Sequence, residues 1–294
     1  MTAIYGSVAG EHAIEQRYRD LLGRWPVPSE HLTVPTREGE TFVVASGPPN
    51  APPLVLLHGA GANSAMWLGD VADWSEQFRV YAVDVIGEPG LSAPSRPPFA
   101  SDAYALWLDD VLHALAVDRV SIVGVSLGGW LALDYAIRRP ARVNRLALLC
   151  PGGIGRQKWG VVVAALLLRP FGQWGLRTTM RLAMGGLPPA DEIVEHFTLI
   201  HRNFRPRREL LPRFGDDVLR AVATPVLTVV GGRDAMLDSH GTRSRLERTM
   251  PHATVRLLPD AGHVLFGQTA AVLEFLLDPR VGSARPYGFR PTTK

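Results

Sequence analysis

The chain has 294 residues, 46% hydrophobic and 20% charged, with 29 glycines and 24 prolines, enough for one large α/β domain with room for an insertion. Its net charge is only +3 and no basic tail with interleaved aromatics occurs, which argues against nucleic-acid binding. A single cysteine, Cys150, excludes an intramolecular disulfide framework and suits a reducing compartment.

Residues 11–22 have helix-forming composition and stop at Gly23, so an amino-terminal helix is expected. Residues 31–36 and 40–46 are β-rich runs flanking a Glu38-Gly39 turn, a hairpin pattern. After the proline-rich break at 47–53 come short, almost uninterrupted apolar runs at 54–57, 80–83, 120–123, 145–149 and 226–230. Strands buried on both faces of a parallel sheet have this character. Helices are expected at 102–116, where apolar residues recur at helical spacing behind a Ser101 cap, and at 127–138. A last strand at 253–258 and a last helix at 269–277 complete the alternation. The fold class is therefore α/β, a mostly parallel central sheet flanked by helices.

From 151 to 224 no strand pattern occurs, only helical stretches at 159–168, 176–184 and 191–201 broken by glycine and proline. A structureless loop of that length is implausible in a compact domain, so a helical insertion is expected. The longest apolar run, 159–168, is too short to cross a bilayer. Residues 1–10 carry neither a basic start nor a long apolar stretch, so no targeting segment and a cytoplasmic location are expected. Cys150, ending an apolar run, reads as a buried small side chain.

The chemistry concentrates in three places. Gly124-Val125-Ser126-Leu127-Gly128 lies between a strand and a helix, the context that the G-x-S-x-G nucleophile elbow requires. Its glycines let strand and helix approach, and the helix amino terminus stabilises negative charge beside the serine. His58-Gly59-Ala60-Gly61 leaves the first apolar strand in a glycine-rich turn that frees backbone N–H groups. The hydrolase template takes one oxyanion donor from this loop and one from the residue after the nucleophile, which assigns the N–H groups of Ala60 and Leu127. The His58 side chain reads as bonding the turn rather than as catalytic. Among nine histidines, His263 in Asp260-Ala261-Gly262-His263 stands late enough, after the last strand, to serve as base in the order Ser, acid, His. Asp234, ending a buried strand after Gly231-Gly232, is the favoured acid; Asp238 is the competitor and also fits a helix cap. No H-E-x-x-H and no Cys/His cluster occurs, His196 and His201 are wrongly spaced for one helix face, and no G-x-G-x-x-G opens a strand–helix unit. No metal and no cofactor are expected.

Together these pieces resemble the α/β-hydrolase superfamily, from about residue 31 to 277, and the opening portion resembles a bacterial carboxylesterase branch. Asp84-Val85-Ile86-Gly87 running to Gly90-Leu91-Ser92 is similar to the family's D-x-x-G-x-G-x-S turn, with one extra residue at Glu88-Pro89. The resemblance implies a helical cap at 151–223 between core parts 1–150 and 224–294. It implies that apolar cap residues (Val161 to Leu168, Trp174, Leu176, Met180, Leu182, Met184, Phe197) can line a pocket, although packing explains most of them. The arginines at 202, 205, 207, 208 and 213 read as a solvated charged face.

The expected function is a serine carboxylesterase acting on small to medium esters through an acyl-enzyme, its partner a small-molecule ester, with no stable membrane association. A carbon–carbon bond hydrolase, a lactonase or a perhydrolase could use the same triad. Outside enzymes the alternative is a hydrolase-fold ligand-binding protein. Oligomeric state is not legible.

Overall fold

A computed structural model of the chain describes residues 4–280. Residues 1–3, part of the stretch expected to lack a targeting segment, and 281–294, the end of the carboxyl-terminal core part, lie outside the described residues. In chain order the first elements are α1 (Val8–Leu22), β1 (Ser29–Thr36), β2 (Gly39–Ser46) and β3 (Pro53–Leu57). There follow α2 (Val71–Ser75), β4 (Arg79–Val83), α3 (Ala103–Ala114), β5 (Val120–Val125), α4 (Leu127–Arg138) and β6 (Val143–Leu149). After them come α5 (Gly160–Leu168), α6 (Gly172–Ala183), α7 (Asp191–Asn203) and α8 (Asp216–Arg220). The last are β7 (Val226–Gly231), α9 (Ser239–Thr249), β8 (Thr254–Leu258) and α10 (Thr269–Leu277).

The eight strands form one sheet in the order β1-β2-β4-β3-β5-β6-β7-β8. Strands β3 to β8 run parallel, while β2 pairs antiparallel with both β1 and β4. Alternate strand residues serve opposite faces. Val55 and Leu57 pack with Trp107, Leu108 and Leu131 from α3 and α4, whereas Leu54 and Leu56 pack with Tyr18, Trp74 and Val272 from α1, α2 and α10. Both faces are apolar because both are covered, which is why the strand sequences show no alternation.

Local signals differ from expectation at four places. Helix α1 starts at Val8 because the Ser7 side chain caps it, accepting from Gly10 N. The hairpin turn is Arg37-Glu38, with Gly39 at φ 101° already opening β2 opposite Thr36. The cap of α3 is Asp102 rather than Ser101; Ser101 Oγ accepts from Ala103 N. Helix α6 begins at Gly172, before the expected start.

Between β6 and β7 the chain adds no strand; α5, α6 and α7 lie there, and α7 packs on α1. Tyr5, Ile14, Ile200 and Phe204 form a small separate core at that junction, and Gly6 N donates to Asn203 O at 2.6 Å.

Candidate active site

Strand β5 ends at Val125, and the chain turns into α4 through a single residue, Ser126, held at φ 52° and ψ −105°. A serine at positive φ is strained. Three backbone bonds maintain it: Ser126 N to Leu149 O at 2.9 Å, and Trp130 N and Gly152 N to Ser126 O at 3.0 and 3.1 Å. The glycines of the motif have separate steric reasons. A Cβ on Gly124 would lie 2.7 Å from Gly129 N, and one on Gly128 would overlap the Leu57 carbonyl. Strand and helix therefore touch backbone to backbone, and the hydroxyl is lifted above the sheet.

The loop after β7 carries Asp234, whose Oδ1 accepts from Met236 N (2.7 Å) and Leu237 N (2.9 Å). Its Oδ2 accepts from His263 Nδ1 at 2.8 Å. Burial pushes this carboxyl up, but the His263 bond and the two N–H donors outweigh it and hold the group below the usual carboxylate range. The imidazole is itself buried, with His263 N donating to Ala183 O at 2.8 Å. Asp238, the competing acid, caps α9 by accepting from Gly241 N at 2.9 Å. The structure thus brings Asp234 and His263 together and gives Asp238 to a helix.

Ser126, Leu127, Ala60 and His263 line one cavity of about 640 Å³. Among the described residues, Ser126 Oγ and His263 make no direct hydrogen bond, although both line the same cavity; such bonds often form only once substrate is bound. The N–H groups of Ala60 and Leu127 likewise have no partner among the described residues. The His58 side chain is consumed structurally: Nε2 accepts from Val85 N at 2.9 Å, so Nδ1 carries the proton donated to Gly59 O at 2.8 Å. Burial lowers its basicity, against the opposing influence of Asp84.

Several lining residues carry no motif. Lys158 Nζ donates to the Asp234 carbonyl at 2.8 Å. Arg207, expected on a solvated face, instead lies 4.0 Å over the Phe99 ring and bonds Glu209, the Tyr104 hydroxyl and the Pro97 carbonyl. Glu88 is buried at the cavity edge and accepts from Gly61 N at 2.6 Å; its one visible signal was the extra residue in the turn after Asp84.

A second cavity of about 380 Å³ adjoins the first at Gly61 and is walled by Met180, Met184 and Phe197 of the inserted helices and by Val264 and Phe266. Val161 reaches the larger cavity, whereas Val163, Leu166, Leu167 and Trp174 point outward. Cys150 is buried beneath the pair, its Sγ within 4.8 Å of the Asp234 and His263 donor atoms. Burial pushes that thiol up to about 12, which disfavours the thiolate a metal would require.

An elbow serine, an acid-bound histidine and two free N–H groups around one cavity can deliver a nucleophile and stabilise an oxyanion. Residues 54–275 match the model of the alpha/beta hydrolase family. The chain belongs to that family. This α/β-hydrolase is 33% identical over 269 residues to a Bacillus subtilis protein named as an uncharacterized carboxylesterase, nap, with 85% of this chain and 86% of the relative covered. The solved structure of carboxylesterase CesB (YbfK) from the same organism superposes with a TM-score of 0.81 at 31% identity, covering 92% of this chain and 99% of that one. That of naproxen esterase from B. subtilis gives 0.77 at 32%, covering 89% and 94%.

Proposed function

We propose that this α/β-hydrolase is a serine carboxylesterase that hydrolyses small to medium esters through an acyl-enzyme. The observation that carries the reading is that His263, bonded to the buried Asp234, lines the same cavity as the strained Ser126. His263 takes the Ser126 proton as Oγ attacks the ester carbonyl carbon. The oxyanion is received by the N–H groups of Ala60 and Leu127, each worth about 3 kcal/mol in such sites. As the carbon–oxygen bond breaks, His263 returns the proton to the leaving alcohol. Water, deprotonated by the same imidazole, then attacks the acyl carbon, and Ser126 leaves with the proton back on Oγ. Asp234 holds the imidazole tautomer with Nδ1 protonated and stabilises the cation that forms.

The two cavities meeting at Gly61 suit the two arms of an ester. In this reading residues 151–223 act as a cap, with Met180, Met184 and Phe197 over the smaller arm. The carboxylesterase names of the relatives support the substrate class. Among the described residues no helix is long and apolar enough to cross a membrane; a single cysteine, with no disulfide framework, is what supports our placing the enzyme in the cytoplasm.

The test is turnover of p-nitrophenyl butyrate and octanoate by wild type and Ser126→Ala, with fluorophosphonate labelling of both. Hydrolysis and labelling lost together in the variant are expected. Wild-type hydrolysis by a clean Ser126→Ala preparation would overturn the serine mechanism.

A further inference from the structure

The turn after β4 reads Asp84-Val85-Ile86-Gly87-Glu88-Pro89-Gly90-Leu91-Ser92, and its middle is where an acid would ordinarily reach solvent. Instead Gly87 bends the chain at φ 74°, Glu88 N donates to Val85 O at 3.2 Å and Gly90 N to Glu88 O at 2.9 Å. This tight winding turns the Glu88 side chain inward, where it is 5% exposed at the rim of the Ser126 cavity. A buried carboxyl is costly to keep. Burial raises its pKa to about 7 despite relief from Gly61 N–H, Arg96 and Arg207. Neither guanidinium pairs with it; Arg96 bonds the carbonyls of Gly87 and Arg205, and Arg207 bonds Glu209. What the carboxyl does hold is one backbone N–H, at 2.6 Å.

That N–H belongs to the peptide plane joining Ala60 to Gly61. Gly61 sits at φ 69°, and a glycine is the residue at which a peptide plane turns over most cheaply. Turning it over would replace the N–H facing Glu88 by the Ala60 carbonyl, which the ionised carboxylate, having only acceptor oxygens, repels. We propose that Glu88 is a positioning residue for the oxyanion loop: its bond to Gly61 N pins the chain on the far side of the Ala60 Cα, which restrains the preceding Gly59–Ala60 plane and keeps the N–H that this plane carries, that of Ala60, directed at the Ser126 cavity. The inference rests on the reading of Ala60 as an oxyanion donor given above.

The loop does not depend on Glu88 for its fold. Four other hydrogen bonds join the same two segments: Val85 N to His58 Nε2, Asn63 Nδ2 to Pro89 O, and Ser64 N and Oγ to Asp84 Oδ1. Removing the carboxyl therefore frees one peptide plane and leaves the scaffold tied.

The experiment compares wild type, Glu88→Ala and Glu88→Gln on p-nitrophenyl butyrate. Rates are normalised to sites titrated by a fluorophosphonate, and melting temperatures are recorded alongside. Loss of a whole oxyanion donor costs about 10²–10³ in kcat, and a misdirected one costs less. Glu88→Ala is expected to lower kcat about 10-fold per titrated site with KM within about twofold. Glu88→Gln, whose amide oxygen can accept the same N–H, is expected to recover kcat to within about threefold of wild type. A wild-type kcat in Glu88→Ala overturns the proposal. So does a loss that Glu88→Gln shares, or a loss confined to KM. Ser126→Ala is run in parallel: if it retains activity the serine reading itself fails, whatever Glu88 does.

Discussion

The Glu88 carboxyl also makes a stability prediction that is independent of turnover. In the folded protein it titrates at about 7, against an ordinary value of 4.5. Between those values the native state holds a proton that the unfolded chain has released, so stability falls as pH rises through that window. The contribution is flat below about 4.5 and again above about 7. Each pH unit of separation corresponds to about 1.4 kcal/mol, which makes the ionised carboxyl cost the fold about 3 kcal/mol at pH 8 relative to pH 4.5. Glu88→Gln removes the titration while preserving shape. Urea unfolding of both proteins at half-unit steps from pH 4.5 to 8 isolates the effect, because every other titrating group is common to the two. The advantage of the glutamine variant should grow by about 3 kcal/mol across the window, with most of the change between pH 5 and 7. A difference that stays constant within about 0.5 kcal/mol would mean that the carboxyl ionises freely in the fold, and the burial argument would fail.

Three further outcomes follow from named contacts. Asp234→Asn should lower kcat by about 10³–10⁴ because the amide cannot orient the Nδ1–H tautomer, whereas Asp238→Ala should cost about 1 kcal/mol of stability through the lost α9 cap and leave kcat unchanged; equal effects on kcat would refute the assignment. Gly128→Ala should destabilise by about 3 kcal/mol or more, since the new methyl meets the Leu57 carbonyl and lies 2.7 Å from His58 O, backbone that cannot yield; an unchanged melting temperature would contradict this. His58 is neutral when folded because burial lowers its basicity, whereas the unfolded chain binds a proton below about 6.5. Wild type should therefore lose stability as pH falls below about 6.5 more steeply than His58→Gln, and parallel urea midpoints would disprove it.

Strand positions were legible within a residue or two because burial on both faces leaves an uninterrupted apolar word in the sequence, as at 54–57 and 226–230. Helices α4 and α10 were legible from end to end, one launched by the elbow and the other closed before Asp278. Helix α9 was not: only Ser239, Thr242, Leu246 and Thr249 are buried in its eleven residues, too faint a stripe to stand out from a loop. Helices α2 and α8, five residues each, are shorter than two turns and have no period to detect. Helix α5 was visible as a helix but not in orientation, since a segment apolar all round does not say which side faces in. The strand-end and elbow residues Asp234 and Ser126 could be located because a rigid element delivers each of them. Glu88 could not, because an acid between a glycine and a proline reads as a solvent turn until the backbone is seen to coil it inward.

The attachment of the amino-terminal segment to α7 has a consequence for how freely α7 can move. Arg17 and Arg24 both pair with Glu192 at the start of α7, Gly6 is bonded to Asn203 at its end, and Arg17, Leu21 and Arg24 also border the smaller cavity. The segment from Gly6 to Arg24 is thus a strap fastened at two points to α7, while its Tyr18 and Leu22 pack against the sheet. Any movement of α7 away from the core must stretch or release that strap. The restraint joins residues about 170 positions apart in the chain.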